Sequence, residues 1–250
     1  MFFLIFIFGL VIGSFINAAA YRFANDRPIF IDRSFCPKCK KQLAWWQLVP
    51  VLSFLMLRAR CYYCGKPISV LYPIVELATG LSFLGFAYFN SALFKDTLLL
   101  AAGLLVIALL VFIALYDFKE YLILDISILA GVILSLFLAY LDDRLLLSVI
   151  SGLGLMLIFG AIFLASKGKW IGFGDVKLAV FLGVLNGSLV AVSLILASYL
   201  GTFIGLGLIL AKRGTLKTQM PFGTLLAFGS IVTLVFQGQI QDFLRQILLI

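Results

Sequence analysis

Residues 97–117 read TLLLAAGLLVIALLVFIALYD, nineteen consecutive uncharged residues between Thr97 and Asp117. A helix needs about 20 mostly apolar residues to cross the hydrocarbon of a bilayer. A helix on the surface of a soluble domain carries a polar face, and this stretch has none. It therefore reads as a transmembrane span. Seven further stretches read the same way: 1–20, about 72–92, 122–141, 145–166, about 174 to Asn186-Gly187, 188–211, and Pro221 to about 236. The tail 237–250 is short and amphipathic. The expected fold is an all-α polytopic membrane protein of about eight transmembrane helices.

Composition agrees. The chain is 64% hydrophobic and 12% charged, and its mean hydropathy is +1.18. A soluble domain carries about 25% charged residues, so soluble, disordered and fibrous classes are excluded. The first span has no basic segment before it and no convincing small-residue cleavage site after it. It is expected to be a retained helix rather than a signal peptide.

The Lys/Arg pattern orients the spans. Nine basic residues lie between Arg22 and Lys66, and Lys119, Lys167, Lys169, Lys177, Lys212, Arg213 and Lys217 fall on the same side if the spans alternate. Only Lys95, Arg144 and Arg245 fall on the other. The basic side is expected to be cytoplasmic. The net charge of +8 is then accounted for by topology and anionic lipid, and needs no nucleic-acid partner. Three segments are expected: a first transmembrane helix (1–21), a cytoplasmic loop (22–71) and a multi-helix membrane core (72–250).

The loop holds every cysteine, as Cys36-Pro-Lys-Cys39 and Cys61-Tyr-Tyr-Cys64, with 21 residues between the pairs. Paired CxxC knuckles near this spacing signal zinc, and a reducing compartment disfavours disulfides. Four thiolates close a tetrahedral structural site with no open position. About fifty residues poor in aliphatics make a weak core, which a metal can staple.

The chain has no histidine, so acid–base chemistry falls to other groups, carboxylates foremost. Of eleven acidic residues, Asp26, Asp32, Asp96, Glu120, Asp142, Asp143 and Asp242 lie in loops, turns or the tail, as ordinary solvated charge. Glu76, Asp117, Asp125 and Asp175 lie at or inside spans, where a carboxylate is costly and points to function. Asp175 sits in Gly172-Phe173-Gly174-Asp175-Val176-Lys177, where a loop becomes a helix. An N-terminal capping role explains the aspartate but not two glycines, which permit unusual backbone angles and close approach. A dyad pairs Asp175 with Asp117 or Asp125, and depth in the membrane does not choose between them. Glu76 follows Tyr72-Pro73, where a helix-start carboxylate is the plain alternative to a substrate contact.

These residues resemble, in order, the motifs of the type IV prepilin peptidases, the bacterial GxGD intramembrane aspartyl proteases. Gly13-Ser14-Phe15-Ile16-Asn17 with Tyr21-Arg22 is similar to the family's opening. Cys36–Cys39, Leu43-Ala44-Trp45-Trp46, Val49-Pro50-Val51 and Leu57-Arg58-Ala59-Arg60-Cys61 resemble its loop. Tyr72-Pro73 with Glu76, Gly172–Leu178 and Pro221-Phe222-Gly223 resemble its remaining motifs. Two positions depart: Leu124 and Thr224 stand where the family usually has proline, and neither substitution is expected to touch the dyad.

The resemblance implies an aspartic endopeptidase that cleaves the basic leader from type IV prepilins and pseudopilins at the cytoplasmic face of the bacterial inner membrane, with S-adenosylmethionine-dependent N-methylation of the new terminus. It implies Asp117 and Asp175 as the catalytic pair, Gly172, Gly174 and Lys177 as the active-site loop, and Cys36, Cys39, Cys61 and Cys64 as zinc ligands. Glu76 and Asp125 are candidates for substrate or methyl-donor contact. A proton-coupled transporter, a zinc-stapled scaffold and a related protease with another substrate are the competing readings. No internal repeat supports the first, and the second leaves the GFGD motif unexplained.

Overall fold

The computed structural model describes residues 1–29, 33–91, 94, 96–213, 215 and 220–248. Asp32, Lys95 and Lys217 of the charge reading lie outside the described residues. The described chain is helical, with two isolated β-bridges, Phe35 to Gln42 and Arg60 to Pro67, and no strand. It divides into two compact units, Met1–Tyr88 and Phe89–Ile250.

The first unit is built on α1 (Phe2–Phe23), the short α2 (Leu52–Met56) and α3 (Leu71–Phe89). Small residues let α1 and α3 approach. A Cβ at Gly9 would lie 2.7 Å from the Gly80 Cα, and one at Gly13 2.7 Å from the Glu76 Cα. In lipid, where tails are as apolar as leucine, such close backbone packing is what holds helices together. Buried Asn17 donates from Nδ2 to the Tyr72 carbonyl at 3.1 Å. The quoted GSFIN and YPxxE segments therefore meet along one helix pair.

The second unit contains α4 (Thr97–Glu120), α5 (Asp125–Leu141), α6 (Leu145–Ser166), α7 (Phe173–Asn186), α8 (Val190–Leu210), α9 (Phe222–Val235) and α10 (Gln237–Leu248). The core helix is α7. It packs on α5, α6, α8 and α9, and every residue from Leu178 to Asn186 except Val180 is buried. Glycines again set the spacing. A Cβ at Gly183 would meet Gly152 at 2.7 Å, and one at Gly131 would meet the Phe181 ring at 2.7 Å. Asn186 Nδ2 donates to Ser230 Oγ at 3.0 Å, joining α7 to α9. At the far end of α7, Arg144 Nη1 donates to the Leu185 carbonyl at 3.3 Å, satisfying an acceptor that a helix C-terminus leaves open.

The eight expected spans coincide with eight apolar helices among the described residues, but their lengths differ. Five segments are long and apolar enough to cross a membrane, or six if the bent pair α9–α10 is taken as one. Two expected spans, α7 and α8, form a single 38-residue apolar segment, because Gly187–Leu189 is one 3-10 turn rather than a loop. α5 is 17 residues long. α9 and α10 meet at 79°. α10 alternates Ile240, Phe243, Leu244 and Ile247 with polar residues, the pattern of an interfacial helix. Large side chains such as Leu146, Leu157, Leu164 and Leu210 are exposed, as lipid-facing residues are. The chain is a multi-pass membrane protein.

Candidate active site and cysteine cluster

The knuckle geometry follows from two matching turns. Cys36 N donates to the Lys41 carbonyl and Cys61 N to the Lys66 carbonyl, both at 2.9 Å. Each CxxC is followed by a residue with left-handed backbone, Lys40 at φ 61° and Gly65 at φ 67°. The two turns bring the Sγ atoms of Cys36, Cys39, Cys61 and Cys64 within 4.8 Å of one another. Cys36 and Cys61 are buried. Burial opposes ionisation of the Cys61 thiol, but the Cys64 and Tyr63 amides and the neighbouring thiols outweigh it and bring it down to about 7. Cys64 receives a Lys66 amide, yet burial and the other thiols push it up to about 11. Four converging soft donors suit a tetrahedral metal ion.

Glu76 also lies in the first unit. It is buried, and its Oε2 accepts from Val51 N at 2.7 Å. Val51 is held at φ 61°, a strained angle for a β-branched residue. The carboxylate therefore anchors a tight bend of the loop onto α3.

In the second unit, α4 continues to Glu120 and ends where Tyr121 turns left-handed at φ 54°. Asp117 lies in its last turn and is 5% exposed. The chain then crosses Ile123 and enters α5 at Asp125. Leu124 has φ −75°, close to the angle a proline would fix. The leucine therefore reproduces the backbone angle of the family's usual residue.

Asp117 faces the start of α9. Its Oδ2 accepts from Thr224 N at 2.6 Å and lies 2.9 Å from Thr224 Oγ1. Thr224 is in the first turn of α9, where amides have no intrahelical acceptor. Asp117 thus caps a neighbouring helix. This corrects the expectation that the departure at Thr224 leaves the dyad untouched. The contact arises from tertiary packing of α9 on α4, and nothing local to the motif reveals it.

Asp175 is half-buried in the first turn of α7. Its Oδ2 accepts from Gly172 N at 3.1 Å. Asp175 and Asp117 flank one side chain, Ile123, through their neighbours Gly174 and Gly223. Asp175 stands at the N-terminus of α7 and Asp117, though in the last turn of its own helix, accepts an amide at the N-terminus of α9, where the dipole favours negative charge. Two such termini, of α7 and α9, offset the crowding of two acids at the edge of an apolar bundle. Ile123 lines the space between them, 3.5 Å from a Cβ built on Gly174 and 2.9 Å from one built on Gly223.

The glycines of the GFGD motif act differently from the sequence expectation. Gly172 has φ −74° and ψ 154°, and Gly174 is helical. Neither uses a left-handed angle. Nor does either exclude a side chain: a Cβ at Gly172 would make an ordinary contact with Asp175 Oδ2 at 3.4 Å, and one at Gly174 with Ile123 at 3.5 Å.

Asp125 and Lys177 are brought together, with Lys177 Nζ 2.6 Å from Asp125 Oδ1. The aspartate side chain is 73% exposed, and such pairs contribute about 0–1 kcal/mol. Asp117 is buried and Asp125 exposed, a difference that neither span position nor spacing reveals.

Comparison with known proteins follows the same division of the chain. Residues 7–89 match the model of the bacterial peptidase A24 N-terminal domain, and residues 104–206 that of the type IV leader peptidase family. Asp117 and Asp175 fall inside the second segment, and Thr224 lies beyond it. A protein of Bacillus subtilis named prepilin leader peptidase/N-methyltransferase is 31% identical, over 96% of this chain and 96% of its own. Proteins of the same name from Pseudomonas putida and Myxococcus xanthus are 28% and 36% identical, over 97% and 83% of this chain and 93% and 63% of theirs. No solved structure matches the chain.

Proposed function

The chain belongs to the type IV leader peptidase family, and from that premise we propose that it is a membrane aspartyl endopeptidase that removes the leader from type IV prepilins and pseudopilins and then N-methylates the new terminus. The observation that carries this reading is the placement of buried Asp117 and Asp175 at the N-termini of α9 and α7, on either side of Ile123.

Asp117 and Asp175 are the catalytic pair. Two carboxylates that share a weakly hydrated site do not both ionise, so as a catalytic pair they would hold one proton between them. The ionised member takes a proton from water, whose hydroxyl oxygen bonds to the scissile carbonyl carbon. The protonated member hydrogen-bonds the carbonyl oxygen. Collapse breaks the C–N bond, and a proton passes to the leaving amine. One water is consumed, and the pair ends with the one proton it began with. The pair titrates as a unit. Gly172 caps Asp175 through its amide, and Lys177, held by Asp125, lies two residues on.

The Lys/Arg bias supports an inner-membrane orientation in which the loop of 22–71 and the aspartates face the cytoplasm. A prepilin places its basic leader in the cytoplasm and its apolar helix in the bilayer, so its cleavage point falls at that edge. Cys36, Cys39, Cys61 and Cys64 would hold a structural zinc ion, which would supply folding energy to a loop with little core of its own. S-adenosylmethionine is the methyl donor this reading implies. Methyl transfer forms the N–C bond as the sulfonium S–C bond breaks, and releases one proton from the amine.

The test is direct. Purified protein in detergent is incubated with a prepilin and S-adenosylmethionine, and product masses are read. A leaderless product heavier by one methyl group supports both activities. A leaderless product without it removes the transferase, and an intact precursor removes the peptidase.

A further inference from the structure

Thr224 directs two donors to one oxygen of Asp117, and we propose that it is a positioning residue of the peptidase, fixing Asp117 through Oδ2 and reserving Oδ1 for the shared proton and the substrate. The proposal rests on the reading of Asp117 and Asp175 as the catalytic pair.

The geometry is one-sided. Thr224 N lies 2.6 Å and Thr224 Oγ1 2.9 Å from Asp117 Oδ2. Among the described residues Oδ1 takes no hydrogen bond. The threonine hydroxyl has a single hydrogen and a second acceptor, the Ala114 carbonyl at 3.0 Å. A carboxylate oxygen is the stronger acceptor of the two, so the hydrogen goes to Oδ2 whenever Asp117 is ionised. An oxygen that accepts two hydrogen bonds is also the wrong place for a proton. When Asp117 holds the proton of the pair, it therefore sits on Oδ1. Thr224 thus decides which oxygen does chemistry.

The same bonds fix the rotation of the carboxyl group. Two donors from one residue on a rigid helical turn hold Oδ2 from the side of α9. Catalytic groups need placement within about half an ångström of the productive geometry. The charged and titratable residues of α9 and α5, which pack on α4, and of α7, which packs on both, are few. α9 has none, α7 brings Asp175 and Lys177, and α5 brings Asp125, which is bonded to Lys177. Thr224 is thus the polar side chain of α9 that addresses the pair. A proline here would supply neither donor, although the first turn of a helix accommodates its ring.

Steady-state cleavage of a prepilin by the purified, full-length protein tests this, with Thr224→Val, Thr224→Ser and Asp117→Asn beside the parent. Thr224→Val keeps the amide and the shape and removes the hydroxyl. The expected result is a fall in kcat of about tenfold at unchanged KM, the scale of one hydrogen bond to a charged group. Thr224→Ser should recover kcat to within about threefold of the parent. If Thr224→Val fails to accumulate, Thr224→Ala against Thr224→Ser gives the same comparison, since the two differ by one oxygen atom. Parental kcat in Thr224→Val, with Asp117→Asn inactive, overturns the proposal and leaves the catalytic pair standing. Equal loss in the Ser and Val variants also overturns it, because packing rather than hydrogen bonding is then the cause. An active Asp117→Asn removes the catalytic pair, and the proposal with it.

Discussion

Replacing Gly223 by alanine should disable the peptidase by displacing Asp117. A Cβ at this position would lie 2.9 Å from Ile123 Cδ1, 3.0 Å from Asp117 Oδ2 and 3.1 Å from Asp117 Cγ. Ordinary carbon–oxygen contact is about 3.4 Å, so the carboxyl group must yield by about 0.4 Å. It cannot yield freely, because Oδ2 is held by Thr224. Misplacement of a reacting group by 1 Å costs about a hundredfold, which scales to about sixfold for this displacement. Weakening the Thr224 bonds adds to it, and a total fall in kcat of about 5- to 30-fold is expected. The global cost is small, because overpacking costs about 1–3 kcal/mol and replacing a helical glycine returns up to about 1 kcal/mol. Gly174→Ala is the control. Its Cβ would touch only Ile123 atoms, at 3.5–3.7 Å, so kcat should fall by less than about threefold. The assay is prepilin cleavage at saturating substrate, with thermal midpoints in detergent measured alongside. A Gly223→Ala enzyme within twofold of the parent would refute the placement of α9 against Asp117, and so would a Gly174→Ala enzyme more damaged than Gly223→Ala.

Three further outcomes follow from the structure. Glu76→Ala removes the acceptor of the half-buried Val51 amide and should lower stability by about 1 kcal/mol, read as a drop in thermal midpoint and faster amide exchange at Val51; unchanged exchange would contradict the anchoring role. Cys64→Ser should abolish bound metal in an elemental analysis where the parent holds one ion per chain. Metal should leave the parent as pH falls from about 8 to about 5, because the thiolate ligands take up protons; a metal content indifferent to both would contradict the cluster reading. Gly13→Leu should separate α1 from α3 and reduce accumulation in the membrane, because its Cβ would meet the Glu76 backbone at 2.7 Å.

What could be read from sequence, and what could not, divides along physical lines. The helices were legible because nineteen uncharged residues in a row permit little else. Their lengths were less so. The break between α7 and α8 is a single turn at Gly187–Leu189, and glycine alone does not distinguish a turn from a loop. The cysteine cluster was legible because ligand spacing is a local property. The difference between Asp117 and Asp125 was not. Asp117 and Asp125 lie eight residues apart at similar depth, and only the packing of α9 and the reach of Lys177 separate a buried acid from an exposed one. Family resemblance, not periodicity, is what favours Asp117 as the partner proposed for Asp175. Thr224 was misjudged for the same reason: its significance lies 107 residues away along the chain. The GFGD glycines drew attention for unusual angles and close approach, but neither has a left-handed angle and a Cβ at either would meet only ordinary contacts.

The most direct test of the central claim is cleavage of a prepilin by Asp117→Asn, Asp175→Asn and Asp125→Asn, each present in membranes at the parent's level, with product masses read for all. The account predicts intact precursor with the first two variants and leaderless pilin with the third. Normal processing by either Asp117→Asn or Asp175→Asn would contradict it.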